Sequence, residues 1–411
     1  VDEPSRLSRS FGSLFAASSL SNLGDGILMV SAPLIAATLT SSAFLVAAVT
    51  TAYFLPWLLL SLPVGAWLDL TDRRRAWMYA LVSRVAVLGV GVVVAVTGNL
   101  SIGALIVIAL LFGCGEVVGD SAISTLVPDV VDRESLVRAN TLVQTGRQLS
   151  NYFLGAPLAG LLVAVSAGAA LGAPALLAVL CLVIIGLGLR TPRRPRDTGQ
   201  ATAVPAVRRI REGLTFLLQH RTLRYVTPAG AVENVFGTGF LAVLVLWVVG
   251  PDSALGLPES AFGLLYTCMG VGALVGAALA GRVLARWTFV RLMTVLAAVS
   301  GVLYLVPVLL TDGVALYACF AVLGIAISLR GVLWTTLFQR ATPRDLYGRV
   351  VTTNRMVIFG SMPLGALGAG ILAEATSVTV VLIAFPIAST LAQVLLLLRA
   401  RELDAESTDR S

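Results

Sequence analysis

Twelve mostly apolar stretches, each long enough to cross a bilayer, succeed one another with short polar breaks between them. They run over roughly 11–39, 43–68, 76–98, 100–127, 139–165, 168–190, 222–249, 259–281, 287–310, 313–338, 349–373 and 376–399. A membrane helix needs about 20 such residues, so several have length to spare for tilt or for ends that project into water. Gly and Pro interrupt many of them, as in Gly155-Ala156-Pro157. Such breaks are tolerated where neighbouring helices or a water-filled cavity satisfy the freed backbone. The first stretch follows a basic arm (Arg6, Arg9) with no small-residue cleavage site, and reads as a retained span rather than a removable signal peptide.

Composition points the same way. Of 411 residues, 57% are hydrophobic and 12% charged, with a mean hydropathy of +0.91. That charged share is about half the usual one for soluble domains, too small to cover two or three soluble domain surfaces. The fold class is therefore an all-α, polytopic membrane protein. The single histidine, His220, leaves little basis for a His-based metal site or a Ser/His/Asp triad. Cys114, Cys181, Cys268 and Cys319 lie inside apolar stretches without CxxC spacing, and read as free thiols.

Arginine placement sets the expected orientation. All 29 basic residues are Arg, and none falls in the alternate connections near 40–42, 98–100, 165–173, 250–258, 311–313 and 374–377. Arg84, Arg147, Arg330 and Arg355 lie within spans; the other 25 lie in or beside the remaining connections. The positive-inside rule then predicts cytoplasmic termini, and the lack of Lys fits a GC-rich bacterial genome, hence an expected place in a bacterial inner membrane. The net charge of +7 becomes topological, with anionic headgroups rather than nucleic acid as the expected partner.

The chain divides into a six-span half over 1–190, a linker over 191–221, a second six-span half over 222–400 and a tail over 401–411. Within the linker, Ile210, Leu214, Leu217 and Leu218 share one helical face, with arginines on another. This predicts an amphipathic helix on the inner membrane surface. An offset of 211 residues aligns Gly65 with Gly276, Gly26 with Gly237, Leu126 with Leu337, Arg133-Glu134 with Arg344-Asp345, and Arg138 with Arg349. Six spans per half make this a parallel repeat, as in transporters with a central site between the halves.

Span 2 ends in Gly65-Ala66-Trp67-Leu68-Asp69-Leu70-Thr71-Asp72-Arg73-Arg74-Arg75. Gly65 suits close helix packing, and Asp69 could accept from an Arg or cap a helix of the other half. The segment resembles the signature loop of the major facilitator superfamily, G-x-x-x-D-R-x-x-R-R. Gly65, Asp69, Arg73 and Arg74 match it, and Leu70 stands where the family usually has Arg. The resemblance implies a twelve-helix fold of two halves, with this loop as a charge latch holding the outward-facing state.

Gly146, Gly155, Pro157 and Gly160 look like a shortened Gly/Pro motif of drug:proton antiporters, with Ala156 where a further Gly is usual. Leu126-Val127-Pro128-Asp129, Glu134 to Asn140, Pro343 to Val350 and Asn22 to Gly26 resemble the macrolide-efflux and enterobactin-exporter branch. The resemblance implies a monomeric secondary exporter of amphipathic small molecules, with no cofactor and a proton gradient as its energy source. Uptake, or lysophospholipid flipping, on the same scaffold is the alternative. A membrane-embedded enzyme lacks a nucleophile–base or metal constellation, and ATP-driven transport lacks a Walker A sequence. A non-transporting sensor or scaffold would fail to move any ligand in proteoliposomes.

Eight ionisable residues lie within spans: Asp25, Arg84, Glu116, Asp120, Arg147, Glu233, Arg330 and Arg355. A charge at bilayer depth costs at least about 2.5–3.5 kcal/mol, so each needs a partner, a cavity or a changed protonation state. Each arginine sits some 6–9 residues from the inner end of its span, about 9–14 Å in. From there it could snorkel, and Arg84 and Arg355 read as structural. Asp25, Glu116 and Glu233 lie too deep to snorkel. The resemblance places spans 1, 4, 7 and 10 around a central cavity, making these acids candidates for proton coupling or for holding a cationic substrate. Buried structural acids are the alternative for each. Matched depths predict an Asp120–Arg147 pair, with Arg330 as a rival partner. Phe236, Phe240, Trp334 and Phe338 could line an apolar binding wall or simply pack.

Overall fold

The computed structural model describes residues 8–132, 135–189, 206–250, 253–310, 312–343 and 346–408. The repeated pairs Arg133-Glu134 and Arg344-Asp345 lie outside them, as does the side chain of Asp69. The first half consists of α1 (Arg9–Leu39), α2 (Ala43–Leu70), α3 (Arg73–Val96), α4 (Ile102–Val130), α5 (Leu136–Gln148), α6 (Ala156–Val165) and α7 (Ala167–Gly188). A π-helical segment, Leu149–Gly155, joins α5 to α6 within one span, Arg138–Val165. Helix α8 (Ala206–Gln219) precedes α9 (Leu223–Val248), α10 (Glu259–Leu284), α11 (Phe289–Leu309), α12 (Gly313–Ala341), α13 (Tyr347–Ala375) and α14 (Val378–Thr408). Among the described residues twelve helical spans are long and apolar enough to cross a membrane, with Arg138–Val165 counted as one. Val249 and Leu257 form an isolated β-bridge.

Helix starts follow from short polar caps. The side chains of Ser42, Asp72, Ser101 and Ser166 accept the N–H groups of Leu45, Arg75, Ala104 and Ala169 at 3.3, 3.1, 3.2 and 3.0 Å. Such a cap contributes about 0.5–2 kcal/mol. The π-helical segment has a local cause as well. Pro157 brings no N–H and its ring collides with the carbonyl four residues earlier, and the turn just before it widens so that Ala156 N–H reaches Asn151 O. A π-bulge is one of the few ways a helix absorbs such an offence.

The face carrying the start of α1, the α2–α3 loop and α8 is called here the linker face, and the opposite one the loop face. Packing differs between them. On the loop side one apolar core crosses both halves, from Leu34, Val46 and Phe112 to Phe240, Phe262 and Phe320. On the linker side the cores are separate, one around Trp77 and Ile123 and another around Met293 and Leu329. The halves meet along two seams, α2 against α13 and α6 against α10, which the 211-residue repeat exchanges. The protein is thus closed at the loop face and parted at the linker face.

Gly65 lies near the linker-side end of α2. Close packing was the expectation there, yet a Cβ at Gly65 would meet nothing within 4 Å. Its repeat partner Gly276 does pack, with room for a Cβ only 3.0 Å from Ile325 Cα.

Candidate functional site

The buried charges of the first half form one chain of contacts. Asp25 is carried by α1 between two glycines that hold that helix against its neighbours. A Cβ at Gly24 would touch Pro174 at 3.5 Å, and one at Gly26 would lie 2.6 Å from Asn151 Cα. Arg84 of α3 does not snorkel. Its Nη1 donates to Asp25 Oδ1 at 2.8 Å and to Ser21 Oγ at 3.1 Å. Its guanidinium carbon lies 4.5 Å from the centroid of the Phe112 ring. Both side chains of the pair are nearly sealed, at 4% and 10% exposure. A pair this buried must be well satisfied to offset its desolvation.

Asp120 of α4 takes two arginines. Arg147 Nη1 donates to its Oδ1 at 2.6 Å, and Arg355 Nη2 donates to its Oδ2 at 3.1 Å. The first bond stays within one half; the second comes from α13 and joins the halves. Arg330 is therefore not the rival partner, and Arg355 is an inter-half residue. Arg355 also lies over Phe359, which stacks on Trp57 of α2 with ring centroids 5.1 Å apart.

One turn from Asp120, Glu116 is buried and stands apart from the other three acids. Among the described residues no arginine pairs with it, and its Oε2 has no hydrogen-bond partner. Tyr53 of α2 is its polar neighbour. Tyr53 carries an oxygen that span-by-span reading of charges had no reason to single out.

In the second half Glu233 of α9 accepts from Arg330 Nη2 of α12. The pair lines a cavity of about 20 Å³ together with Phe236, Ser300, Tyr304 and Gln393, enclosed by α9, α11, α12 and α14. That is room for one or two waters, inside one half rather than between the halves. The expected aromatic wall is not one surface. Phe236 packs edge-on against Phe385, Phe240 is core beside Tyr304, and Trp334 stacks on Phe338 at 5.4 Å while covering Gly230.

Arg73 and Arg74, in the first turn of α3, bond within their own half. Arg73 donates to Asp129 Oδ2 at 2.9 Å and to Thr125 O at 3.1 Å. Arg74 donates to the carbonyls of Ile185 and Gly186 at the end of α7, at 2.9 and 3.2 Å, where a cation suits the helix dipole. The Gly/Pro segment is a two-sided contact. Gly155 meets Gly26 of α1, where a Cβ would lie 3.0 Å from its Cα, and Gly160 meets α10 of the other half, 2.8 Å from Glu259 O. Gly146 packs under Phe15, where a Cβ would lie 2.9 Å from the ring. Outside every expectation, Glu374 at the end of α13 accepts from Ser42 Oγ at 3.0 Å and from Phe44 N–H at 3.2 Å. As a lone acid at a span boundary it carries no sequence signal beyond position.

Two bundles of membrane-spanning helices, joined along two repeat-related seams and holding charges at depth, define a transporter scaffold of the major facilitator type. The chain belongs to the transmembrane secretion effector family of that superfamily, whose model matches residues 5–411. It is 28% identical to the multidrug efflux pump Tap of Mycolicibacterium fortuitum, across 96% of this chain and 97% of that one. It is 26% identical to the MFS-type transporter y4rN of Sinorhizobium fredii, across 87% of each. Among solved structures, a bacterial homolog of the human lysosomal transporter Spinster, inward-facing and unoccupied, shares the fold with a TM-score of 0.74. It is 15% identical, over 97% of this chain and 98% of that one. The nucleoside transporter NupG gives a TM-score of 0.70 at 13% identity, over 95% and 98%.

Proposed function

We propose that this protein exports amphipathic, cationic small molecules across the bacterial cytoplasmic membrane in exchange for protons, with Glu116 as the exchanging carboxyl. The efflux-pump relatives support the direction and the substrate class. The arginine distribution supports a cytoplasmic linker face, which is then the side open to substrate. The observation that carries the proton assignment is charge matching. Asp25, Asp120 and Glu233 each form an ion pair with an arginine, whereas Glu116 forms none among the described residues and its Oε2 has no hydrogen-bond partner.

A buried carboxylate without a counter-ion must bind a cation or a proton. Substrate and proton competing for one carboxyl is the simplest physical form of antiport, since each displaces the other. The two halves rock about this level, and ligand binding shifts the balance only by its differential affinity for the two states. Lipids surround the bundle, and neither a cofactor nor a second subunit enters the cycle.

The test is Glu116→Gln in proteoliposomes, with a lipophilic cation such as ethidium as the probe. The variant should lose proton-gradient-driven accumulation, while Asp25→Asn and Glu233→Gln retain part of it in proportion to folded protein. Unchanged, protonophore-sensitive pumping by Glu116→Gln would remove the assignment.

A further inference from the structure

Glu374 occupies an unfavourable position in its own helix. It is the penultimate residue of α13, where the helix dipole presents its negative end and an acidic side chain is repelled. Among the described residues no basic side chain reaches it. The opposite half satisfies it instead. Its Oε2 accepts from Phe44 N–H and from Ser42 Oγ, which are the first turn and the N-cap of α2. A carboxylate at a helix amino end meets unpaired N–H groups and the positive end of the dipole. The acid that disfavours α13 therefore favours α2, but only while the two halves touch.

Close approach is built into the same turn. Gly370 lies one turn before Glu374, and a Cβ there would lie 2.7 Å from Ala47 Cβ and 3.2 Å from Phe44 Cα. Without that glycine the carboxylate would be held off α2. The contact also stands almost alone. Among the described residues, the other side-chain polar tie between the halves is Asp120–Arg355, and Asp120 keeps Arg147 when the halves part. Among the described residues Glu374 keeps no such partner.

We propose that Glu374 is the loop-face gate latch of this transporter: by capping α2 from the opposite half it holds this face shut, and its release accompanies opening. The latch rests on the rocking of the two halves, not on protons or on drug export. It breaks whenever the loop face opens, so it sets the balance between the two end states.

Double electron–electron resonance on the full chain in nanodiscs tests this. Labelled unnatural amino acids at Val165 and Val314, which are 77% and 75% exposed at the loop-side ends of opposite halves, report the separation of that face. Glu374→Ala should raise the open-to-closed ratio about 2- to 5-fold, the range expected for a solvent-exposed carboxylate at a helix amino end. Glu374→Gln, which keeps an acceptor without charge, should fall between, and Ser42→Ala should shift the ratio less, since Phe44 N–H remains. Distances unchanged in Glu374→Ala, with or without a loss of thermal stability, would overturn the latch. A latch shift alongside a Glu116→Gln variant that still pumps would retain the gate and discard only the proton assignment.

Discussion

Replacing Arg84 by Gln would leave the Asp25 carboxylate buried without its cation. The two side chains are 4% and 10% exposed and 2.8 Å apart, which places them in the class where removing one partner costs about 3–5 kcal/mol. At about 2–4 °C per kcal/mol for a unit of some 200 residues, the apparent Tm should fall by about 6–20 °C. Asp25→Asn should cost less, about 1–3 kcal/mol, because Arg84 retains Ser21 Oγ and the face of Phe112. The double variant Asp25→Asn/Arg84→Gln replaces an ion pair by an amide pair of similar shape. It should recover most of the loss and stay within about 1 kcal/mol of the parent, since a satisfied buried pair is worth little net. Thermal unfolding in nanodiscs at several scan rates measures the cycle and separates kinetic from equilibrium effects. A loss below about 1 kcal/mol in Arg84→Gln, or a double variant whose loss equals the sum of the singles, would refute the pairing argument.

Gly26→Val should abolish stable folding, because a Cβ there already lies 2.6 Å from Asn151 Cα and backbone cannot yield; yield and monodispersity on size exclusion report it. Gly65→Ala, with nothing within 4 Å, should raise stability by about 0.5–1 kcal/mol through helix propensity, read as a higher Tm. If the same variant slows transport, Gly65 packs in the alternate state, where the linker face closes. Asp120→Asn should weaken the tie to Arg355 and widen the linker face in distance measurements between labels on α4 and α13, with a smaller stability loss than Arg84→Gln.

Much of the fold was legible because it is written in local properties. Span length and apolarity depend only on the residues of each helix, and twelve spans emerge from them. The Gly/Pro segment around Pro157 was visible as a motif. Its two-sided role, with Gly155 on α1 and Gly160 on α10, required knowing which helices flank it. The depth of each intramembrane charge was also legible, since position along a helix follows at about 1.5 Å per residue. Depth was enough to bring Asp120 and Arg147 together on paper. It could not separate Arg330 from Arg355, which lie at similar depths, nor reveal that Glu374 reaches across to a helix N-terminus.

The sequence alone therefore determined how many helices cross the membrane, how deep each charge lies and which repeat relates the halves. Tertiary structure decided which way each charged side chain faces and whom it meets. Arg330 turns to Glu233, Arg355 crosses to Asp120, and among the described residues no arginine forms an ion pair with Glu116. The physical reason is that spans apolar on nearly every side carry little amphipathic signal to set their rotation. Azimuth about the helix axis is fixed by close packing of small residues between helices, and that packing exists only once the helices have assembled.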